Sequence, residues 1–413
     1  MLHFIYFILL FFPSILSATV ALGVDRLFTE YTSLLQGKKI GVITNQSGVD
    51  AHLITTRERF LQGQKLHGYT VVAFFAPEHG LYGEGYAAEH VCTTKTEEGI
   101  PIHSLHGATR RPTKEMLKGI DLLVFDIQDI GCRPYTFAST LYYVMEEAVK
   151  EKIKVLVLDR PNPINGIMVD GPMLEGAWRS FLGYVNVPYC HGMTIGELAL
   201  FFNGEYAIGC DVTVIPMKGW KRSMSFADTG LAWIPTSPNI PEAVSALSFP
   251  ITGLLGELGV VHIGVGYTLP FRVVAAPWIR GEGFAKELNK ELAKLHLSGV
   301  SCVPIRLKPF AGTNKGVSCQ GVLLVITNRT HFLPVQVQYA LIVTLKKLYP
   351  DQWKKAVEHA LPLQKELFCK VCGTEAIYKL LLQKTLTMKQ LTAVHAKELQ
   401  SFKQKRIKYL QYK

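Results

Sequence analysis

The segment Leu122-Leu-Val-Phe-Asp-Ile-Gln-Asp129 indicates the fold class of this 413-residue chain. It opens with a short apolar run, which is typical of a strand buried on both faces of a parallel sheet. Comparable runs recur along the first half of the chain. They predict strands over Lys39 to Thr44, Thr70 to Ala76, Leu122 to Ile127 and Lys154 to Leu158.

A helix is predicted between the last two of these strands. Its apolar positions recur at helical spacing and are Phe137, Leu141, Val144, Met145 and Ala148. Strands that alternate with helices in this way indicate βαβ units, so the sequence predicts an α/β fold with a parallel sheet.

The length of the chain favours two domains, since a single core rarely grows beyond about 250 to 300 residues. Residues 234–241 are rich in proline and are typical of a rigid connector. Helical patterns dominate after it, at Gly283 to Leu297, Pro334 to Leu348, Gln352 to Leu361 and Met388 to about Leu410, with strand-like segments at Val260 to Val265 and Gly321 to Thr327. We expect a domain over residues 19–250 and a smaller α+β domain over residues 251–413.

The first eighteen residues are interpreted as a signal peptide. Phe4 to Phe12 is an unbroken apolar run, Pro13 ends it, and Ser17-Ala18 offers small residues for cleavage. The sequence therefore predicts export to the periplasm or the medium, with membrane contact only through this segment if it is not cleaved. The net charge of +11 does not indicate a nucleic-acid partner, because no nucleic-acid-binding module accompanies it.

Each predicted strand ends in a cluster of polar, turn-forming residues. Parallel strands present their carboxyl ends on one edge of a sheet, where loops converge and ligands bind. We therefore expect one crevice lined by the segments that follow the strands, at residues 44–48, 76–80, 126–131 and 159–163.

Glu78 and His79 follow the second strand directly. A carboxyl group beside apolar walls has its charged form disfavoured, so Glu78 is predicted to be a general acid that His79 orients. The alternative is that Glu78 caps the following turn. The next loop adds Glu84 and Glu89 between glycines and tyrosines, which suits a second carboxylate and aromatic platforms for a sugar ring.

The third strand end is dense in polar groups, with Asp126, Gln128, Asp129, Arg133 and Tyr135 within ten residues. Such density is costly without a ligand. An internal salt bridge between Arg133 and one aspartate is the structural alternative. Divalent-metal binding by Asp126 and Asp129 is another, although no third protein ligand is evident.

Two further loops supply polar groups. Arg160 and Asn162 follow the fourth strand, and His191 precedes a helix that Thr194 begins. Thr194 with Glu197 fits a capping box, so Glu197 is predicted to be structural. The chain has no Gly-x-Ser-x-Gly elbow, no Walker loop and no dinucleotide fingerprint, and no cofactor is expected.

Together these motifs resemble the bacterial exo-β-N-acetylmuramidases of the NamZ type, from about Gly23 to the C-terminus. The resemblance rests on Gly41-Val-Ile-Thr-Asn45, Pro77-Glu-His-Gly80, Phe125-Asp-Ile-Gln-Asp129, Leu158-Asp-Arg-Pro-Asn-Pro163, Asp170-Gly-Pro-Met173, His191-Gly-Met-Thr194, Gly196-Glu-Leu-Ala199 and Pro235-Thr-Ser-Pro-Asn-Ile-Pro241. It implies a Rossmann-like N-terminal domain, a smaller C-terminal domain, and an active site in the cleft between them.

The resemblance also implies an exo-acting glycosidase that releases N-acetylmuramic acid from peptidoglycan fragments. Glu78 matches the glutamate expected to be catalytic there, and its candidate partners are Glu89, Asp126 and Asp129. The residues expected to bind the saccharide are Asn45, Glu84, Gln128, Arg133, Tyr135, Arg160, Asn162, His191, Asn239 and Glu257.

One segment departs from the family pattern. Val260 and Val265 stand where an Asn and an Arg are expected, and Pro134 stands where an aromatic residue is usual. Arginine is the natural bidentate partner of the lactyl carboxylate of muramic acid, so its absence bears on the identity of the substrate. The departures at Val260 and Val265 leave open a protein that binds cell-wall fragments without catalysis. Asp126 and Asp129 leave open a metal-dependent hydrolase.

Overall fold

The computed structural model describes residues 20–329 and 332–413. Its larger sheet has seven strands in the order β3-β4-β2-β1-β5-β6-β7. These strands are β1 Lys39–Thr44, β2 Thr70–Ala76, β3 Thr94–Lys95, β4 Pro101–Ser104, β5 Leu122–Asp126, β6 Lys154–Leu158 and β7 Val212–Ile215. All neighbouring pairs are parallel except β3 with β4. Without β3, the strand order is that of a Rossmann sheet.

Helices cover both faces of this sheet, as its continuous apolar strands require. The helices of the described residues are α1 Gly23–Glu30, α2 Thr56–His67, α3 Lys114–Leu117, α4 Phe137–Lys150, α5 Ile195–Glu205, α6 Ala243–Leu258, α7 Gly281–Lys294, α8 Pro334–Leu348, α9 Pro350–Glu358, α10 Pro362–Cys372, α11 Glu375–Leu382, α12 Met388–Ala393 and α13 Ala396–Lys405. Helices α1 and α2 pack on one face, and α4 and α5 pack on the other.

A second, smaller sheet lies in the C-terminal half. It is antiparallel, with the order β8-β10-β9, and its strands are β8 Val273–Ala276, β9 Val300–Leu307 and β10 Cys319–Ile326. Helices α7 and α8 pack against each other, and α6 packs against α8 and α10. The apolar core of these elements is continuous with the core between the larger sheet and helices α4 and α5.

Most of the predicted elements are confirmed. The bounds of β1, β2 and β6 agree with the prediction, and β5 ends one residue earlier, at Asp126. Two predictions are wrong. The terminal helix is broken into α12, α13 and a 3-10 turn at Arg406–Tyr409, and residues 260–265 form a loop that pairs with β8 only through His262 and Ala275.

The predicted domain boundary near residue 250 lies inside α6, and it stays a prediction. The predicted signal peptide lies outside the described residues. Within the described part of the chain, no helix combines the length and apolarity needed to cross a bilayer.

Candidate active site

One cavity of about 350 Å³ lies between loops of the larger sheet and elements of the C-terminal half. The loops that follow β2 and β5 form one side of it, with Glu78 and Thr136 on its wall. Helix α6 and the loops beside β8 form the other side, which carries Glu257 and His262. The volume is within the range of small-molecule sites, and the lining is largely apolar with a few convergent polar groups.

The turn after β2 fixes the position of Glu78. Gly80 N donates a hydrogen bond to Pro77 O at 3.0 Å, which closes a turn that contains Glu78 and His79. His79 has φ of 72°, a left-handed conformation that is unfavourable for a residue with a side chain. Strain of this kind is retained where the surrounding structure imposes it, and it places both Glu78 and His79 on the cavity wall.

The carboxyl group of Glu78 is held at both oxygens. Its Oε1 accepts a hydrogen bond from Ala88 N at 2.9 Å, and its Oε2 accepts one from Thr136 Oγ1 at 2.7 Å. Thr136 is the N-cap of α4, so Glu78 lies at the positive end of that helix. Burial raises the pKa of Glu78, but the two hydrogen bonds and the nearby His106 and His79 outweigh it and hold the pKa below 4.5.

This result corrects the expectation that apolar walls keep Glu78 protonated. Apolar burial is the largest single influence on its pKa, as expected, but it is opposed by donors that the sequence did not reveal. Glu78 is therefore a carboxylate near neutral pH, whereas a general acid must carry a proton.

Glu257 has the opposite environment. It lies in the last turn of α6, on the helix face that also brings Phe249, Gly253 and Gly256 to the cavity. Burial raises the pKa of Glu257 from 4.5 to about 7. The negative end of the helix dipole acts in the same direction, because it disfavours a carboxylate at a helix C-terminus. No hydrogen bond to this carboxyl group is made by the described residues.

Three histidines share one arrangement around the cavity. In each, Nδ1 faces a backbone carbonyl: His79 with Gly85 O at 2.8 Å, His106 with Glu89 O at 3.0 Å, and His262 with Thr313 O at 3.0 Å. A carbonyl oxygen only accepts, so Nδ1 carries the hydrogen in each ring. The Nε2 atom is left for other contacts, and that of His106 lies 3.6 Å from Glu78 Oε1.

Comparison with known proteins identifies the family. Residues 40–244 match the N-terminal domain of the exo-β-N-acetylmuramidase NamZ, and residues 247–412 match its C-terminal domain. The chain is also 38% identical over 394 residues to the peptidoglycan β-N-acetylmuramidase NamZ of Bacillus subtilis, covering 95% of this chain and 91% of that protein. The chain belongs to the NamZ family.

Two solved structures of DUF1343 family proteins from Bacteroides fragilis share the fold. One is 39% identical with a TM-score of 0.87 and covers 96% of this chain and 99% of its own. The other is 26% identical with a TM-score of 0.70 and covers 95% and 99%. The α/β fold with two domains, expected from the resemblance, is therefore confirmed.

The cavity of this NamZ-family chain brings together five of the residues proposed from the sequence: Glu78, His79, Tyr135, Asn239 and Glu257. Tyr135 OH donates a hydrogen bond to Thr236 Oγ1 at 2.8 Å, and burial raises the pKa of this phenol. The other predicted residues do not line the cavity, so the expectation that four strand ends share one crevice holds only in part.

Asp126 is the clearest departure from the predicted site. Both oxygens of its fully buried carboxylate pair with Arg160, at 2.5 Å from Nε to Oδ1 and 2.8 Å from Nη2 to Oδ2, and Thr56 adds a short hydrogen bond. The pair joins the ends of β5 and β6. Neither residue faces the main cavity, and Asp126 has no oxygen free for a metal ion.

Asp129 and His191 lie close together and do not line the cavity. Asp129 Oδ2 accepts a hydrogen bond from Gly131 N at 2.7 Å, and His191 Nε2 lies 3.7 Å from the same oxygen. Three amides hold neighbouring loops in place: Asn45 binds Ser47, Gln128 donates to Asp129 O and Pro161 O, and Asn162 donates to Met193 O. These five predicted site residues thus stabilise the strand ends.

The remaining predicted residues also lie away from the cavity wall. Glu84 and Glu89 are exposed, and Glu89 Oε2 accepts a hydrogen bond from Tyr86 N at 2.6 Å. Arg133 is buried and donates to Val371 O and Cys372 O, so the alternative of a salt bridge from Arg133 to an aspartate is not formed. The capping box of Thr194 and Glu197 is present as predicted.

Three residues of the site were not found from the sequence. Thr136 had no signal beyond its place before a helix, where threonine is a common cap. His106 follows β4 and His262 lies within the apolar run at residues 260–265, and neither histidine belongs to a motif. Only the three-dimensional structure shows that both rings are buried, that His106 lies beside Glu78 and that His262 lines the cavity.

Proposed function

We propose that this chain is an exo-acting β-N-acetylmuramidase that removes a terminal N-acetylmuramyl residue from peptidoglycan fragments. Membership of the NamZ family supports the substrate class. The observation that carries the mechanism is the pair of carboxyl groups in one cavity, Glu78 at a helix N-terminus and Glu257 at a helix C-terminus.

The two environments separate the roles. When the environments of two titratable groups give them different pKa values, one can act as an acid and the other as a base. Glycoside hydrolysis needs one protonated carboxyl group and one carboxylate. Glu257, with its pKa raised to about 7, keeps a proton that it can donate to the glycosidic oxygen. Glu78, with its pKa lowered, acts as the carboxylate that assists attack at the anomeric carbon. The hydrogen bonds from Ala88 N and Thr136 Oγ1 stabilise that carboxylate.

The test compares two substrates that differ in their leaving group. An aryl β-N-acetylmuraminide has a good leaving group and needs little protonation, whereas a disaccharide with an N-acetylmuramyl residue at its non-reducing end needs a general acid. Glu257→Gln should lose about 100-fold or more of kcat/KM on the disaccharide and far less on the aryl glycoside. Glu78→Gln should lose activity on both substrates.

Matched controls are available in the same elements. Glu242→Gln changes the exposed glutamate that precedes α6, and Glu89→Gln changes the predicted partner that lies outside the cavity. Both should retain wild-type turnover. The opposite pattern, with Glu78→Gln spared on the aryl glycoside, would assign the general acid to Glu78. Binding of muramyl fragments without turnover would favour a non-catalytic binding protein.

We also propose that the protein is exported, because the apolar segment Phe4 to Phe12 precedes small residues and because peptidoglycan lies outside the cytoplasm. Fractionation of cells that express the full chain, compared with a chain lacking residues 1–18, tests this. The full chain should be found outside the cytoplasm and the shortened one inside it. Equal distribution of the two would contradict export through this segment.

A further inference from the structure

The wall of the cavity that faces Glu78 is mainly apolar and carries no permanent positive charge. Phe249, Val261, Ile263, Val265 and Phe271 form most of it. Among the described residues, no lysine or arginine side chain lines the cavity. Two carboxyl groups line it, those of Glu78 and Glu257. A ligand carboxylate placed here would lose its hydration and find no cation to replace it, which is unfavourable.

His262 is the polar exception on this wall. Its backbone exchanges two hydrogen bonds with Ala275 of β8, at 2.8 and 3.0 Å, and its ring is held by Thr313 O. The side chain is buried at 1% exposure, yet Nε2 has no hydrogen-bond partner among the described residues. A buried polar atom without a partner is costly, and a ligand group that satisfies it contributes to specificity.

The chemistry of that group follows from the tautomer. Nδ1 carries the ring hydrogen because Thr313 O can only accept, so Nε2 of the neutral ring presents a lone pair. Burial lowers the pKa of His262, which favours this neutral form. The lone pair requires an N–H or O–H donor from the ligand and is repelled by a carboxylate.

We propose that the cavity takes a muramyl residue whose lactyl carboxyl group is joined in an amide, and that His262 Nε2 accepts a hydrogen bond from the amide N–H. The amide removes the charge that the wall cannot accommodate and supplies the donor that His262 lacks. The inference rests on the proposed function, and it names the form of the muramyl substrate.

The test compares two aryl β-N-acetylmuraminides, one with a free lactyl carboxylate and one in which the lactyl group is joined to alaninamide. The wild-type enzyme should prefer the amide by about tenfold or more in kcat/KM, since one unsatisfied buried acceptor or charge has an effect of this order. His262→Ala should lower turnover of the amide and bring the ratio near one. His262→Gln, which keeps an acceptor, should retain part of the preference.

Two more variants sharpen the result. Val265→Arg adds a cation to the wall and should shift the preference toward the free acid. His359→Ala is the matched control, because His359 also bonds a carbonyl through Nδ1 but lies exposed directly after α9. It should leave the ratio unchanged. A wild-type enzyme that prefers the free acid, or a ratio unaffected by His262→Ala in a folded variant, would overturn the inference.

Binding measurements separate this inference from the proposed function. Calorimetry with the two free sugars, N-acetylmuramic acid and its alaninamide, reports recognition without turnover. Tighter binding of the amide by about tenfold supports the inference even if neither glycoside is hydrolysed, and in that case only the proposed hydrolysis fails. Equal or weaker binding of the amide overturns the inference, whatever the turnover.

Discussion

The substitution Glu257→Gln should stabilise the folded protein at alkaline pH and not at acidic pH. The pKa of Glu257 is 4.5 when the chain is unfolded and about 7 in the fold. Between these values the unfolded chain releases a proton that the folded chain retains, so the stability of the wild-type protein falls as the pH rises. Glutamine cannot ionise, and the variant avoids this loss.

The magnitude follows from the interval between the two pKa values. At about 1.4 kcal/mol per pH unit, the shift from 4.5 to about 7 amounts to about 3 kcal/mol. Part of the Glu257 side chain remains exposed in the open cavity, so solvent screening reduces the expected advantage of the variant to about 1 to 2 kcal/mol. The full difference should be present above pH 7 and absent below pH 4.5.

Urea unfolding monitored by tryptophan fluorescence measures this difference. The wild type, Glu257→Gln and the control Glu242→Gln are compared at pH 4.5 and at pH 8, and stability is taken from the linear dependence on urea. The advantage of Glu257→Gln should grow by about 1 to 2 kcal/mol between the two conditions, with no such change in Glu242→Gln. An advantage of equal size at both pH values would refute the reasoning, because it would come from packing and not from ionisation.

Three further substitutions test other parts of the structure. Arg160→Ala should lower the unfolding free energy by about 3 to 5 kcal/mol in urea titrations, because it leaves the buried carboxylate of Asp126 without its countercharge; a loss below about 1 kcal/mol would contradict this. Thr194→Ala should cost about 1 kcal/mol through loss of the helix cap, and the serine variant at that position should not. His106→Gln should raise the pKa of Glu78, so the acidic limb of the kcat/KM profile should move to higher pH; an unmoved limb would exclude that influence.

The larger sheet could be predicted from the sequence because its strands are short, apolar and bounded by turn residues. Buried parallel strands such as Lys39–Thr44 and Lys154–Leu158 combine all three features, and their bounds agree with the structure. The capping box of Thr194 is equally local, since both partners lie within one helical turn. These features depend on neighbours in the sequence, which is why pattern analysis finds them.

The C-terminal half was harder to predict because its elements depend on tertiary packing. Helix α6 contains Pro250 and begins soon after the proline-rich stretch, so the sequence pattern suggested a boundary where the structure has a continuous helix. The apolar composition of residues 260–265 predicts a strand, whereas the structure has a loop there. An apolar run that lines a cavity and one that pairs in a sheet have the same composition, and only the tertiary structure distinguishes them.

The candidate site shows the same division between local and tertiary information. The expectation that ligands bind beyond strand ends identified Glu78, but it also selected Asp126 and Arg160, whose mutual pairing is invisible in sequence. Polar residues at strand ends therefore serve two purposes. Some face the ligand, and others bind one another so that neighbouring loops stay in place.

The roles of the two glutamates depend on which helix end each carboxyl group meets. Glu78 follows a strand, and its charge is stabilised by Thr136, the cap of a helix that starts almost sixty residues later. Glu257 ends a helix and is buried beside apolar side chains from the second half of the chain. The sequence around Glu78 and Glu257 does not predict that these side chains lie beside them. The sequence can propose which carboxyl groups take part, whereas the fold decides which of them keeps its proton.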